Sequence, residues 1–116
     1  MAKPNIIQLS EFDITQKIIE TLSNVCTRSV LFSVKSQSKD ATQIAEELKI
    51  SLSTVYKTLS NLEELALAEV DKFIISPEGK KIKIYRSRIG KVEITLDNLE
   101  PSLNLYPNIE NPKSSD

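Results

Sequence analysis

Lys80, Lys81, Lys83, Arg86, Arg88 and Lys91 place six positive charges in twelve residues that hold no carboxylate. Side chains of this kind at this density bind polyanions, because each one displaces condensed counterions from a phosphate backbone and the released ions drive association. A second set lies upstream. Ser51, Ser53, Thr54, Tyr56, Lys57 and Ser60 are interleaved with the apolar residues of "SLSTVYKTLSNL", and no acid occurs from Leu52 to Leu62. Short hydroxyl side chains with one lysine can hydrogen-bond base edges and phosphates without holding a nucleic-acid groove at a distance. Both sets also have plainer uses. A hydroxyl-rich face is also what a solvated helix presents, and a lysine-rich strand can protect a sheet edge from aggregation.

The elements that position these residues follow from periodicity. Ile14, Ile18, Ile19, Leu22 and Val25 predict a helix over 11–24, with Ser10 or Asp13 as its cap. Val30, Leu31 and Val34 predict a second over 27–36, capped by Thr27 and ended by the polar run "KSQSKD". Ile44, Ala45 and Leu48 form the inner stripe of a third, short helix with Thr42 as its cap. The stripe Leu52, Val55, Tyr56, Leu59, Leu62, Leu65 and Ala66 predicts a fourth helix of nearly four turns, with Ser51 accepting its free amide hydrogens. From Leu67 the composition turns β-branched. "LAEVDKFIIS" and "KIKIYRSRI" flank the turn residues of "PEGK" and predict a hairpin. The imperfect alternation, with Ile82 and Ile84 on one face and Tyr85 and Ile89 on the other, calls for a bulge. "KVEITL" after Gly90 has the composition of a third strand.

The totals limit the classes of function. One chain of 116 residues with 40% apolar and 27% charged side chains suits one folded domain. Residues 1–97 are expected to form it, and 98–116, with three prolines and an excess of acids, to form a weakly ordered acidic tail. No apolar run approaches the length needed to span a bilayer, and "MAKPNIIQLSEFD" lacks the pattern of a secretory signal, so we expect a cytoplasmic protein without a membrane partner. One cysteine and no histidine cannot supply a four-ligand Cys/His zinc site, and Cys26 reads as a small buried apolar residue. Without histidine, a glycine-rich phosphate loop or paired carboxylates, no nucleophile has a recognisable base. We expect no enzyme, no cofactor and no metal. The net charge of −1 conceals an asymmetry: residues 1–79 carry −3, residues 80–91 carry +6 and residues 92–116 carry −4.

"TQIAEEL", "ISLSTVYKTLSNLEE" and the hairpin to Arg88 resemble the winged helix-turn-helix domain, nearest to the ArsR and MarR types of small prokaryotic and archaeal transcription regulators. "LSNVCTRSVLF" is similar to the ArsR-type segment in which an arginine opens the helix before the motif. The resemblance covers roughly residues 20–90. It implies an α+β, mainly α fold of about four helices and a two- or three-stranded β-wing, with the helix-turn-helix at 42–66 and the wing at 67–89. It also implies a sequence-specific transcription regulator that binds double-stranded DNA as a homodimer, with Ile7, Leu9, Phe12 and Ile14 of the leading helix available for the dimer contact. The recognition helix would present Ser51, Ser53, Thr54, Tyr56, Lys57 and Ser60 to the major groove, with Lys57 foremost and Tyr56 more a packing residue than a reader of bases. Lys80, Lys81, Lys83, Arg86 and Arg88 of the wing would lie on phosphates, although Arg86 and Arg88 have an alternative in acids of their own domain. Arg28 has two readings, a DNA-backbone contact or a salt bridge to Glu20 or Asp40. Three features depart from the pattern. The turn has Lys49 or Ile50 where glycine is usual, the glycine after the recognition helix is missing, and the paired cysteines or histidines of metal-sensing members are absent. A winged-helix module that binds protein in a transcription or other multiprotein assembly is the alternative the sequence leaves open.

Overall fold

A computed structural model describes residues 6–114, with side chains from Ile14 onward. Four helices lead into two antiparallel hairpins: α1 (Ile6–Ser23), α2 (Val25–Ser33), α3 (Ala41–Leu48), α4 (Leu52–Glu64), β1 (Ala68–Ile75), β2 (Lys81–Ser87), β3 (Ile89–Thr95) and β4 (Ser102–Pro107). This is the α+β, mainly helical layout of a winged helix. The core gathers Ile18 and Leu22 of α1, Val30 and Leu31 of α2, Ile44 of α3, and Val55, Leu59 and Leu62 of α4 beneath Leu67, Tyr85 and Ile89. Fully burying a side chain such as Leu59 or Leu62 stabilises the fold by about 1.5–3 kcal/mol.

The helix ends differ from expectation where side chains compete for the cap. α1 begins at Ile6, so Ser10 and Asp13 lie within the helix rather than at its start. Of its expected stripe Ile18 and Leu22 are buried, whereas Ile14 and Val25 are exposed, because α2 starts one residue after Asn24 and turns Val25 outward. Asn24 rather than Thr27 caps α2, its side-chain oxygen accepting the Thr27 N–H at 3.0 Å. Arg28 forms no ion pair with Glu20 or Asp40 among the described residues. Its Nη1 donates to the Leu22 carbonyl at 2.9 Å and so satisfies a free carbonyl at the end of α1. Asp40 replaces Thr42 as the cap of α3: Asp40 Oδ1 accepts the Gln43 N–H at 2.8 Å while Gln43 Oε1 accepts the Asp40 N–H at 2.9 Å. This reciprocal box satisfies two otherwise free donors.

Both missing glycines have consequences. Lys49 takes φ 58° and ψ 46° after α3, and Ala66 takes φ 58° after α4. The Ala66 N–H donates to the Glu63 carbonyl and the Leu67 N–H to the Leu62 carbonyl, both at 2.9 Å, the paired bonds of a Schellman ending. Leu62 and Leu67 are both buried, and that contact holds the strained alanine in place.

β1 and β2 form the expected hairpin, closed through Ser76–Lys80 with Gly79 at φ 84°. Its register runs from Ala68↔Ser87 to Ile75↔Lys81, and the bulge falls at Asp71, between Val70 and Lys72. A third segment joins through a single bridge: the Lys39 N–H donates to the Tyr85 carbonyl at 3.0 Å and the Tyr85 N–H to the Lys39 carbonyl at 2.8 Å. "KVEITL" is a strand, but it does not extend the wing. β3 pairs with β4 in a separate sheet, from Ile89↔Pro107 to Thr95↔Ser102. A Cβ on Gly90, the residue skipped by that register, would lie 3.1 Å from the Pro107 carbonyl oxygen.

The acidic tail expected after Asp97 therefore contains structure. Pro101 and Pro107 bracket β4, at positions where a strand tolerates the loss of an N–H. Residues 108–114 then cross the base of the wing. Asn108 Nδ2 donates to the carbonyls of Lys35 (2.9 Å) and Ser87 (2.8 Å), and Asn111 Nδ2 donates to Ser38 Oγ at 3.1 Å. The Ser114 N–H reaches Asp71 Oδ1 at 2.6 Å.

Candidate functional site

α3 and α4 are joined by Lys49–Ser51, a turn short enough to bring the two helices together over Ile44, Val55 and Leu59. That packing fixes which side of α4 faces outward. Ser51, Ser53, Thr54, Tyr56, Lys57 and Ser60 are all exposed, and Val55, Thr58, Leu59 and Leu62 are buried. Three members of the expected inner stripe are exposed, among them Ala66, which lies beyond the end of α4. Leu52 is exposed at the first turn, and Tyr56 leaves the core with 53% of its surface open. Thr58, which the spacing did not single out, is buried on the inner side.

The first turn is held by its own hydroxyl groups. Ser51 Oγ accepts the Thr54 N–H at 3.2 Å and donates to Thr54 Oγ1 at 2.7 Å, with Ser53 Oγ 3.3 Å away. Ser51 is thus occupied as a cap. Ser53, Lys57 and Ser60 have no side-chain hydrogen bond or ion pair with a residue beyond this turn among the described residues.

The wing comes beside this helix. Asp40, Ala41 and Thr42 at the start of α3, Tyr56 of α4, and Lys80, Lys81, Ile82, Lys83 and Tyr85 line one groove of about 430 Å³. Tyr85 was not among the expected site residues, yet it forms the floor: its ring is buried and its backbone is bridged to Lys39. Burial raises the Tyr85 hydroxyl pKa, and the nearby Glu63 and then Tyr56 push it further up, so the phenol stays neutral. The only sequence signal for it was its position, on the opposite face of the strand from Ile82 and Ile84.

Lys80, Lys81 and Lys83 are exposed on the groove side, with Lys81 Nζ 4.1 Å from the centroid of the Phe73 ring. Arg88 is also exposed but sits at the other end of the hairpin, where its Nη1 lies 3.4 Å from the Ala66 carbonyl. Arg86 differs from the rest of the basic set. It is 6% exposed and ion-paired with Glu69, while its Nε and Nη2 donate to the Asn111 carbonyl (3.0 and 2.8 Å) and its Nη2 also to the Asn108 carbonyl (3.1 Å). With four hydrogen bonds inside the fold and its side chain buried, Arg86 is not presented to an external phosphate as the wing lysines are, and we assign it a structural role instead.

No protein-family model matches the chain. Over 79 residues it is 34% identical to an uncharacterized helix-turn-helix-type transcriptional regulator of Methanocaldococcus jannaschii, an alignment covering 67% of this chain and 80% of the relative. The chain belongs to the helix-turn-helix transcriptional regulators. In this regulator Tyr56 of α4 shares its groove with Lys80, Lys81 and Lys83 of the β1–β2 hairpin. No helix among the described residues of the regulator is long and apolar enough to cross a membrane.

Proposed function

We propose that the chain is a sequence-specific DNA-binding regulator of transcription, acting in the cytoplasm as a homodimer. α4 enters the major groove with Ser53, Thr54, Tyr56, Lys57 and Ser60 toward bases and phosphates, and Lys80, Lys81 and Lys83 of the wing neutralise the flanking backbone. One observation carries this reading: Tyr56 of α4 and the three wing lysines line the same groove, so helix and wing address one ligand from one side. Arg88, at the other end of the hairpin, meets the duplex further along its axis. From Leu52 to Leu62 the exposed residues of α4 include no acid, which supports the same reading, since a carboxylate there would repel phosphates.

Two-fold dimers place recognition helices on half-sites about one turn apart. The leading helix is our choice for the dimer contact. Ile14 is exposed on it, while the side chains of Ile7, Leu9 and Phe12 lie outside the described residues. β4 packs beside α1, and its Leu105 is exposed.

Fluorescence anisotropy with random duplex DNA at two salt concentrations tests the reading. A dimer touching about eight phosphates gives a slope of log K against log salt near −7. Absence of association at low salt excludes the regulator reading and leaves a protein-binding winged helix.

A further inference from the structure

The outer half of the wing has a composition that phosphate neutralisation does not explain. From Lys72 to Ile75 every residue is exposed, and from Lys81 to Lys83 only Ile82 is half-buried, before burial resumes at Ile84. At about 3.3 Å per residue the free part of β1 extends about 13 Å. Within it Phe73 is 48% exposed and Ile75 is 67% exposed. Such apolar surface, rimmed by charge, marks a contact site.

The register shows which way it points. Ile75 pairs with Lys81 and Phe73 with Lys83, so these four side chains share one face of the ribbon. Lys81 and Lys83 also line the groove with Tyr56, which places Phe73 and Ile75 on the side of the molecule where α4 is exposed. Residues 72–83 carry four lysines and one carboxylate, Glu78. The surroundings of this apolar pair thus complement a polyanion, and the occupant that combines phosphates with stacked apolar surface is duplex DNA.

We infer that Ile75, backed by Phe73, is a wedge that enters the minor groove and partly unstacks a base step, so that the protein bends the DNA it binds. Lys80, Lys81 and Lys83 hold the two phosphate strands on either side, and the cost of unstacking is offset by the additional backbone that the bent duplex brings to them. Lys81 packed over Phe73 keeps the ring facing that side. The inference rests on the DNA-binding reading above and adds a mechanical effect to it.

The test uses the full chain and a duplex of about three helical turns, selected for binding from a random pool and labelled at its ends for energy transfer, with anisotropy measured in parallel. The expected result is a shortened end-to-end distance in the wild-type complex, corresponding to a bend between about 20° and 90°. Ile75→Ser should abolish the shortening while association persists with a modest loss of affinity. As Ile75 is exposed, the variant should fold, which circular dichroism checks. A bound but straight wild-type duplex, or an Ile75→Ser complex bent as fully as the wild type, overturns the wedge and leaves DNA binding intact. Failure of the wild type to bind any duplex overturns both.

Discussion

Arg86 and Glu69 face each other across the β1–β2 ladder and form an ion pair at the base of the wing. The guanidinium also holds the carbonyls of Asn108 and Asn111, so one side chain fastens the wing to the segment after β4. Breaking a buried pair of this kind costs roughly 3–5 kcal/mol, and because Glu69 keeps some solvent and has Lys113 at 3.7 Å, Arg86→Ala should cost about 2–3 kcal/mol in urea unfolding. Arg86→Lys should recover only part of this, lacking the planar fork. An unchanged midpoint would contradict the structural role.

Asp71 supplies a pH dependence. Burial at the bulge raises its pKa, but the Ser114 N–H, the hydroxyls of Ser38 and Ser114 and the charge of Arg86 together outweigh that and leave it below the ordinary carboxylate range. A pKa lower in the folded state than in the unfolded one stabilises the protein above the unfolded value and ceases to do so as acid protonates the folded group. Stability should therefore decline below about pH 4, and Asp71→Asn should flatten that decline while lowering stability at neutral pH. Urea titrations across this range check both outcomes.

Ala66 offers a gain in stability. A left-handed alanine costs roughly 1–2 kcal/mol that glycine avoids, partly offset by the greater freedom of glycine in the unfolded chain. Ala66→Gly should raise stability by about 0.5–1 kcal/mol, seen as a melting temperature a few degrees higher.

Ser51 is predicted to act on stability rather than recognition. Its oxygen is the N-cap of α4, and replacing such a cap by alanine costs about 1 kcal/mol. Ser51→Ala should lower the thermal midpoint and leave base preference unchanged at saturating folded protein, as read from competition with altered duplexes.

Lys80→Ala combined with Lys81→Ala should weaken association with every duplex alike and reduce the salt slope by about 2 per wing. Lys57→Ala should also alter the order of preference among duplexes, because α4 lies where bases are read. If the wing pair changes neither affinity nor slope, the hairpin does not meet the phosphates.

The sequence alone determined what short-range rules control. Apolar residues recurring at helical spacing fixed the inner side of α4 at Val55, Leu59 and Leu62, Ser51 announced its start, and Pro77 and Gly79 located the wing turn, since each signal acts within a few residues of chain. Neighbouring polar groups made the other caps ambiguous: Thr27 and Thr42 were as suitable by type as Asn24 and Asp40, and only backbone geometry chose between them. Tertiary structure decided everything that depends on a distant partner. Arg86 read like the other basic residues of its strand until Asn108 and Asn111, 22 and 25 positions later, enclosed it. β3 had no partner in its own composition, and β4 was concealed among prolines and acids, because strand pairing is satisfied between segments and leaves its mark in neither one. The groove shared by Tyr56 and the wing lysines likewise arose only when Tyr85 was pinned to Lys39 and drew helix and hairpin together.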